Sequence, residues 1–272
     1  MNASATWESV LAAPAPRQHI AQLYTEPGFL ARAVGRFAGE GLRRGEAVVL
    51  VVTPSHWQTI ARGLEDERFA LDDFQHRGQL TVLDAAECVA QLLVNGMPDR
   101  ARFRTLIGGT IEAATAVGHG SVRAFGEIVD LLRRRSLAAT IRLEELWAEL
   151  MTTHAFSLLC GYSLDNFDSQ IHRGLLQRVS AAHSDVIPVD DYARLERAVE
   201  RAYADIFGPS GEPTSLRSTF LAHYARPAAM PDAEAAILAV REFVPVIADA
   251  LLDRARRHYR TDNDAQAANY HS

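Results

Sequence analysis

Short apolar runs alternate with amphipathic segments along the first part of the chain. The runs predict strands at 19–25, 46–53, 79–84, 121–125 and 156–162. The run EAVVLVVT at 46–53 is apolar at nearly every position, which is typical of a parallel strand covered on both faces. Segments with helical periodicity lie at 27–44, from Pro54 onward, and at 85–94, 102–117, 127–135 and 141–153. This alternation predicts an α/β fold, with a mainly parallel central sheet flanked by helices.

Strand patterns end after about Asn166, and the rest of the chain predicts an α-helical C-terminal region. Helices are expected at 174–182, after the N-cap residue Asp190, at 216–224 and at 232–259. Pro245 is expected to kink or split the last of these helices. We therefore predict an α/β domain at 18–168, a helical module at 169–260, and flexible ends at 1–17 and 261–272.

Charge and composition narrow the classes of partner and chemistry. With 28 basic and 34 acidic residues the net charge is −6, so neither nucleic acid nor a membrane surface is an expected partner. Every basic residue is Arg, and the absence of Lys excludes a Schiff-base lysine and a phosphate-loop lysine. The chain shows no signal-peptide pattern and no apolar run that could span a bilayer, so a cytoplasmic location is expected.

Motifs for catalysis, cofactors and metals are missing. The turn TPSHWQT at 53–59 has neither the glycines nor the lysine of a phosphate loop, and GHGSVR at 118–123 precedes a strand instead of following one. No two of the ten histidines have the spacing of a local metal-binding pair. Cys88 and Cys160 are expected to be inert buried thiols. We therefore predict no catalytic residue, no cofactor and no metal site.

Candidate ligand contacts lie at the carboxyl ends of the predicted strands, where open parallel sheets bind their ligands. These residues are Thr53, Ser55, His56, Asp84, Glu127 and Tyr162, with Arg142 as a charge that could pair with an anion. Two structural alternatives stay open, since Glu127 could simply complement a helix dipole and Arg142 could form a surface salt bridge. Glu144, Glu145 and Glu149 are expected to form a solvated helix face.

Six segments of the chain carry a family resemblance when they are taken together. They are HIAQLY at 19–24, GEGLRRGEAVVLVVTPSH at 39–56, GQLTVLDAAE at 78–87, VRAFGEIVDLL at 122–132, IRLEELWAEL at 141–150 and FSLLCGYSLDNF at 156–167. In order and spacing they resemble the MEDS domain, a sensory domain named for methanogen and methylotroph regulators and the dichloromethane-operon repressor. The resemblance implies a RecA/KaiC-like domain without a phosphate loop. It also implies sensing of a small organic signal or a partner, relayed to an attached output.

These observations favour a non-enzymatic, cytoplasmic signalling protein that senses a small organic ligand or a regulatory protein partner. Its C-terminal helices would relay the signal by packing on each other, on the sensor or across a homodimer axis. One alternative is a nucleotide-binding protein or enzyme with a non-standard, Arg-based phosphate site. A second alternative is a protein–protein adaptor without any small ligand.

Overall fold

The structure is a computed structural model that describes residues 3–133, 135–169, 171–208 and 213–270. The chain forms two compact units, Met1–Ser163 with Ala182–Ile187, and Leu164–Ala181 with Pro188–Ser272. Among the described residues, none of the helices combines the length and the apolar character needed to cross a bilayer.

The first unit is built on a six-stranded parallel sheet, of which the apolar runs predict five strands. In chain order the strands are β1 (His19–Tyr24), β2 (Ala47–Val52), β3 (Leu80–Asp84), β4 (Leu93–Val94), β5 (Met97–Pro98), β6 (Val122–Gly126), β7 (Phe156–Ser163) and β8 (Asp185–Ile187). The sheet order is β3-β2-β6-β7-β1-β8, while β4 and β5 form a separate antiparallel pair. Strands β1, β2 and β6 are buried along their whole length, because helices cover both faces of the sheet.

Helices account for most of the remaining chain in both units. They are α1 (Ala3–Ala12), α2 (Pro27–Arg43), α3 (Pro54–Asp66), α4 (Leu71–His76), α5 (Ala85–Leu92), α6 (Arg100–Phe103), α7 (Gly109–Ala116), α8 (Ile128–Arg133), α9 (Leu137–Thr153), α10 (Leu175–Ala182), α11 (Tyr192–Phe207), α12 (Pro213–His223), α13 (Asp232–Phe243) and α14 (Pro245–Tyr270). A π-helical segment at Arg104–Gly108 joins α6 to α7, so the long helix predicted at 102–117 is present with one wide turn.

The amino-terminal segment at 1–17, a predicted flexible end, contains helix α1, and this helix is attached to the sheet. The reason is Arg123 on β6, a fully buried arginine that forms an ion pair with Glu46. Its Nη1 donates to the carbonyl of Leu11 at 3.1 Å, and its Nη2 donates to the carbonyl of Ala12 at 3.1 Å. One guanidinium therefore satisfies the last carbonyls of α1 and fixes that helix to the sheet.

The buried guanidinium has room because residue 41 is a glycine. A Cβ atom built on Gly41 would lie 2.8 Å from Cδ of Arg123 and 3.1 Å from Cγ2 of Val48. Such approaches are shorter than van der Waals contact, so Gly41 permits the close packing of α2 on the sheet.

Strand β8 is a strand that the sequence pattern did not predict. Its residues Asp185–Ile187 pair in parallel with β1, with Ala21 opposite Val186. The side chain of Ser184 fixes this return to the sheet, because its Oγ accepts from the backbone N–H of His19 at 3.1 Å and donates to the carbonyl of His19 at 2.8 Å. The sheet thus includes residues beyond the predicted domain boundary at 168, and a three-residue strand is too short to show periodicity.

The second unit is helical, as expected. Pro245 begins α14 as a separate helix, which confirms the predicted split. Helix α14 continues through the predicted flexible end at 261 as far as Tyr270, while residues 271 and 272 lie outside the described residues. At the start of this extension, Nη1 of Arg201 of α11 lies 2.6 Å from Oδ1 of Asp262. Most of the predicted loop at 208–213 also lies outside the described residues.

Candidate functional site

The order of the strands places a topological switch point at the carboxyl ends of β2 and β6, and we refer to this position as the crevice. These strands are neighbours in the sheet, but the chain leaves β2 toward β3 on one side and leaves β6 toward β7 on the other. Connections that diverge in this way open a gap above the strand ends, which is the usual ligand site of parallel α/β sheets. Thr53 directly follows β2, and Glu127 directly follows β6.

Glu127 is the centre of this crevice. Its backbone N–H donates to the carbonyl of Val51 at 3.1 Å, which joins the two strand ends. Its carboxylate accepts a hydrogen bond from the backbone N–H of Thr53 through Oε1. Its other oxygen, Oε2, lies 2.5 Å from Nδ1 of His56. The Glu127 side chain is only 3% exposed and that of His56 is 19% exposed, so the pair is open to solvent mainly on the histidine side.

The carboxylate changes the ionisation of the histidine. The hydrogen bond to Glu127 raises the pKa of His56, against the opposing effect of burial, because the carboxylate stabilises the protonated ring. Since Nδ1 is bonded to Glu127, Nε2 is the ring nitrogen that a ligand can reach. The ring of Tyr24, at the end of β1, meets the His56 ring edge-on with centroids 6.1 Å apart.

Two hydroxyl groups flank the pair at the start of α3. The Oγ1 of Thr53 lies 3.4 Å from the Oγ of Ser55, and the Thr53 side chain makes no capping hydrogen bond to the helix. The structure thus brings together four of the residues that the sequence predicted, namely Thr53, Ser55, His56 and Glu127. The Glu127 carboxylate bonds the start of α3 and His56, which is more than the helix-dipole alternative requires.

Asp84 and Arg142 have structural partners instead. Asp84 lies opposite Val52 at the same sheet edge, but its Oδ1 caps α5 by accepting from the backbone N–H groups of residues 86 and 87 at 2.7 and 2.9 Å. Arg142 is 36% exposed on α9 and pairs with Glu145 at 2.8 Å, as in the surface-salt-bridge alternative.

Tyr162 is fully buried, and its hydroxyl bonds inside the unit. The hydroxyl donates to Oε1 of Glu144 at 2.5 Å, and burial together with the nearby carboxylate raises the pKa of Tyr162 well above its usual range. The prediction that Glu144 belongs to a solvated helix face is wrong, because its side chain is only 12% exposed. Helix α9 turns Glu144 toward the sheet, while Glu145 on the same helix is exposed.

Glu144 belongs to a cluster that the sequence did not reveal. His19, Glu144, Cys160 and His183 place one potential metal-ligand atom each within 4.8 Å of all the others. The four residues come from β1, α9, β7 and the segment before β8, so a search for locally spaced ligands cannot detect them. Three of them do lie within the segments that carry the family resemblance, which is the signal that could have pointed to them.

Both cysteines are buried free thiols, as predicted. Burial raises the pKa of the Cys88 thiol to about 11, with further contributions from Asp84 and Glu87. Only about one Cys88 thiol in a thousand would therefore be ionised at pH 8, and nucleophilic reactivity requires the thiolate.

A groove of about 690 Å³ lies along α1, α2 and α3. Its charged lining residues are Arg32, Arg36, Arg43 and Arg62 with Glu8, Glu40, Asp66 and Glu67. The acidic and basic residues are equal in number, and several pair directly, as Arg43 does with Glu67 at 2.6 Å. The groove therefore gives no excess of positive charge that would attract a polyphosphate.

Comparison with known protein families gives a match over more than half of the chain. The family model described as the MEDS, or methanogen/methylotroph, DcmR sensory domain matches residues 18–183 of the chain. A search of curated proteins finds no match. The matched segment contains the His56–Glu127 crevice and all four residues of the buried cluster.

Proposed function

The chain belongs to the MEDS family of sensory domains, and on this premise we propose that it is a regulatory protein without catalytic activity. In this proposal the crevice between β2 and β6 recognises a small organic ligand, and the helical C-terminal module relays the bound state to a regulatory protein partner. A cytoplasmic location and a RecA/KaiC-like ancestry of the sheet are parts of the same proposal.

The observation that carries the proposal is the His56–Glu127 pair at the strand ends. A largely buried ion pair seldom makes a protein more stable than apolar side chains in its place would, since removing two charged groups from water costs about as much as their attraction returns. A charged pair with a shifted pKa in a sheet-edge crevice is therefore better explained by recognition than by stability. The backbone N–H of Thr53 bonds the carboxylate, and the backbone N–H of Glu127 bonds the carbonyl of Val51, so the pair is preorganised.

The groups in the crevice favour one class of ligand. Protonated His56 offers Nε2–H as a donor, and Thr53 and Ser55 add hydroxyl groups beside it. These groups suit a small molecule with an oxygen acceptor, such as a carboxylate, carbonyl or hydroxyl. The carboxylate of Glu127 repels a second negative charge beside it, and this repulsion disfavours the binding of a polyphosphate.

Features of the turn also support a non-nucleotide ligand. The residues that follow β2, TPSHWQT, include no glycine, and the chain contains no lysine. Backbone N–H groups need permissive glycines to surround phosphate oxygens, and a lysine normally balances their charge. The arginines of the groove beside α2 are matched by carboxylates, so they do not replace that lysine.

The connectivity of the chain supports a relay. The polypeptide passes between the two compact units three times, at Ser163, at Ala182 and at Ile187. Strands β7 and β8, which flank β1, each lie directly at one of these passages. A ligand-induced shift of the strand ends would therefore be transmitted to the helical unit through three covalent connections.

Thermal unfolding and turnover assays with ATP and GTP in the presence of Mg²⁺ test the absence of nucleotide chemistry. With the full chain we expect no rise in the unfolding temperature and no release of phosphate. Stabilisation by ATP together with its hydrolysis would contradict the proposal and favour the alternative, an Arg-based phosphate site. In that case Arg32→Gln and Arg62→Gln in the groove should reduce both effects.

A further inference from the structure

We propose that His19, Glu144, Cys160 and His183 form a buried site for one divalent transition-metal ion, of which Zn²⁺ is the representative. The site is separate from the His56–Glu127 crevice, and it goes beyond the proposed function. It rests on the distances between the four side chains, on their burial and on their combined charge.

The distances between the ligand atoms suit a tetrahedral ion. Nε2 of His19 lies 3.4 Å from Sγ of Cys160 and 3.7 Å from Oε2 of Glu144. Nε2 of His183 lies 3.9 Å from the same oxygen. Tetrahedral zinc, with bonds of about 2.0–2.3 Å, separates its ligand atoms by about 3.3–3.8 Å. These three distances are therefore close to the spacing that such an ion requires, and all the ligand atoms lie within 4.8 Å of one another.

The fold positions each ligand independently. Cys160 is paired with Ala21 in the parallel register of β1 and β7, and His19 precedes Ala21 by two residues. Side chains two residues apart point to the same face of a strand, so His19 and Cys160 share one face of the sheet. Helix α9 supplies Glu144, and the two hydrogen bonds between Ser184 and His19 bring the adjacent His183 to the same place.

Tyr162 orients the carboxylate of Glu144. Its hydroxyl donates to Oε1 at 2.5 Å, whereas Oε2 accepts no hydrogen bond from the described residues although it is fully enclosed. A buried carboxylate oxygen without a donor is costly, and a metal ion would relieve that cost. The His19 ring also hydrogen-bonds the backbone of Ala182. Such outer partners are the usual supports of histidine and carboxylate ligands.

The charges of the four ligands balance one divalent ion. Two neutral imidazoles, one thiolate and one carboxylate carry two negative charges, which equal the charge of a 2+ cation. Such neutrality matters here, because His19 and His183 are 7% and 6% exposed and Cys160 is completely buried.

The types of ligand indicate the kind of ion. Two nitrogens, one sulfur and one oxygen suit Zn²⁺, Co²⁺ or Fe²⁺, whereas Mg²⁺ and Ca²⁺ prefer oxygen ligands only. Four protein ligands fill a tetrahedral shell and leave no open position for a reacting water. The inferred role is therefore to join β1, β7, α9 and the segment before β8, and not to catalyse a reaction.

The test uses the full chain, freed of metal by a chelator and then titrated with Zn²⁺ and with Co²⁺. We expect one ion per chain to survive desalting, and the cobalt form to show the near-ultraviolet absorption of a cobalt–thiolate bond. The variant C160S should lose this absorption, whereas the matched variant C88S, at the other buried thiol, should retain it. No bound metal in wild-type protein of normal circular dichroism would overturn the proposal, as would an unchanged cobalt spectrum in C160S.

Carboxylate variants keep the proposal testable even if C160S fails to fold. E144Q should weaken zinc binding by more than about 100-fold, and Y162F should weaken it by about 10–100-fold. E145Q, on the exposed side of the same helix, should leave zinc binding unchanged. Equal zinc affinities of E144Q and E145Q would contradict the site. None of these substitutions alters His56 or Glu127, so this result is independent of the proposed function.

Discussion

The imidazole Nδ1 of His56 lies 2.5 Å from the carboxylate Oε2 of Glu127, although the two residues are 71 positions apart in the sequence. The parallel pairing of β2 with β6 brings them together, because each residue lies shortly after the carboxyl end of its strand. The shared sheet edge thus converts two unrelated sequence positions into one charged pair.

The pair predicts a change in histidine ionisation when its carboxylate is neutralised. In E127Q the pKa of His56 should fall, because the amide cannot stabilise the protonated ring as the carboxylate does. A titration of the His56 ring proton signal by NMR measures this directly. H76A provides a reference for assigning the spectrum, since His76 is an exposed histidine whose Nδ1 lies 2.7 Å from the carbonyl oxygen of Asp72. An unchanged His56 pKa in E127Q would show that the pair is not formed in solution.

Stability should depend on pH through the same pair. Folding raises the pKa of His56, so the protonated ring stabilises the folded state. This stabilisation is complete below the pKa of about 6.5 that histidine has in the unfolded chain. It is lost as the pH rises through the higher pKa of His56 in the folded protein. Urea unfolding should therefore show E127Q to be less stable than wild type by about 1–3 kcal/mol near pH 6, with a smaller difference near pH 9. A difference that is independent of pH would contradict this assignment.

Two glycines of α2 predict opposite effects of the same substitution. Gly41→Ala should destabilise the protein by about 1–3 kcal/mol, because its new Cβ would lie 2.8 Å from Cδ of Arg123. Gly35→Ala should stabilise by about 0.5–1 kcal/mol, since nothing lies within 4 Å of its Cβ and alanine favours the helix. Chemical denaturation measures both changes. Equal effects of the two substitutions would show that Arg123 does not pack against Gly41.

The guanidinium of Arg123 should be essential for stability. R123M would remove the guanidinium that pairs with Oε2 of Glu46 and donates to the carbonyls of Leu11, Ala12 and Phe37, at a cost of about 3–5 kcal/mol. R62M removes an exposed arginine and should change stability by no more than about 0.5 kcal/mol. Hydrogen exchange should show lost protection of α1 in R123M only. Full protection of α1 in R123M would refute its anchoring by this residue.

The helical unit has its own titrating group. Burial raises the pKa of Glu234, in the first turn of α13, from its ordinary 4.5 to about 7, and Glu196 and Asp232 add to this effect. The protonated Glu234 side chain therefore favours the folded state. Its contribution to the free energy of unfolding is complete below pH 4.5 and is lost as the pH rises through about 7. E234Q should therefore be more stable than wild type at pH 8, by about 3 kcal/mol, and similar to it below pH 5. If the free energy of unfolding in urea depended on pH in the same way for E234Q and wild type, the raised pKa of Glu234 would be contradicted.

Sequence periodicity was sufficient for much of the architecture because its signals are local. The run AVVLVV predicted a doubly covered central strand, and β2 is buried along its whole length. Leu195, Val199 and Ala202 recur at spacings of three and four residues along α11, and all three are buried. The helix at 3–12 was missed because its stability depends on Arg123, which lies more than a hundred residues away in the sequence.

The crevice and the buried cluster differ in how far sequence can predict them. Thr53, Ser55, His56 and Glu127 follow strands, so the rule for strand carboxyl ends placed them correctly at one edge. Tyr162 also lies near the carboxyl end of its strand, β7. It is nevertheless buried, because α9 covers this part of β7 and its Glu144 accepts a hydrogen bond from the Tyr162 hydroxyl. Which helix face meets a given strand depends on tertiary packing, and no local pattern reports it.

Capture of bound metabolites from extracts of the native host tests the proposed recognition site most directly. The full wild-type chain, H56A and H76A would be incubated with the same extract, washed by gel filtration and examined by mass spectrometry for small molecules and for proteins. We expect a small oxygen-bearing organic compound to be retained by wild type and by H76A and to be lost from H56A. Retention of that compound by all three proteins, or of a protein partner without any small molecule, would contradict the crevice as the ligand site.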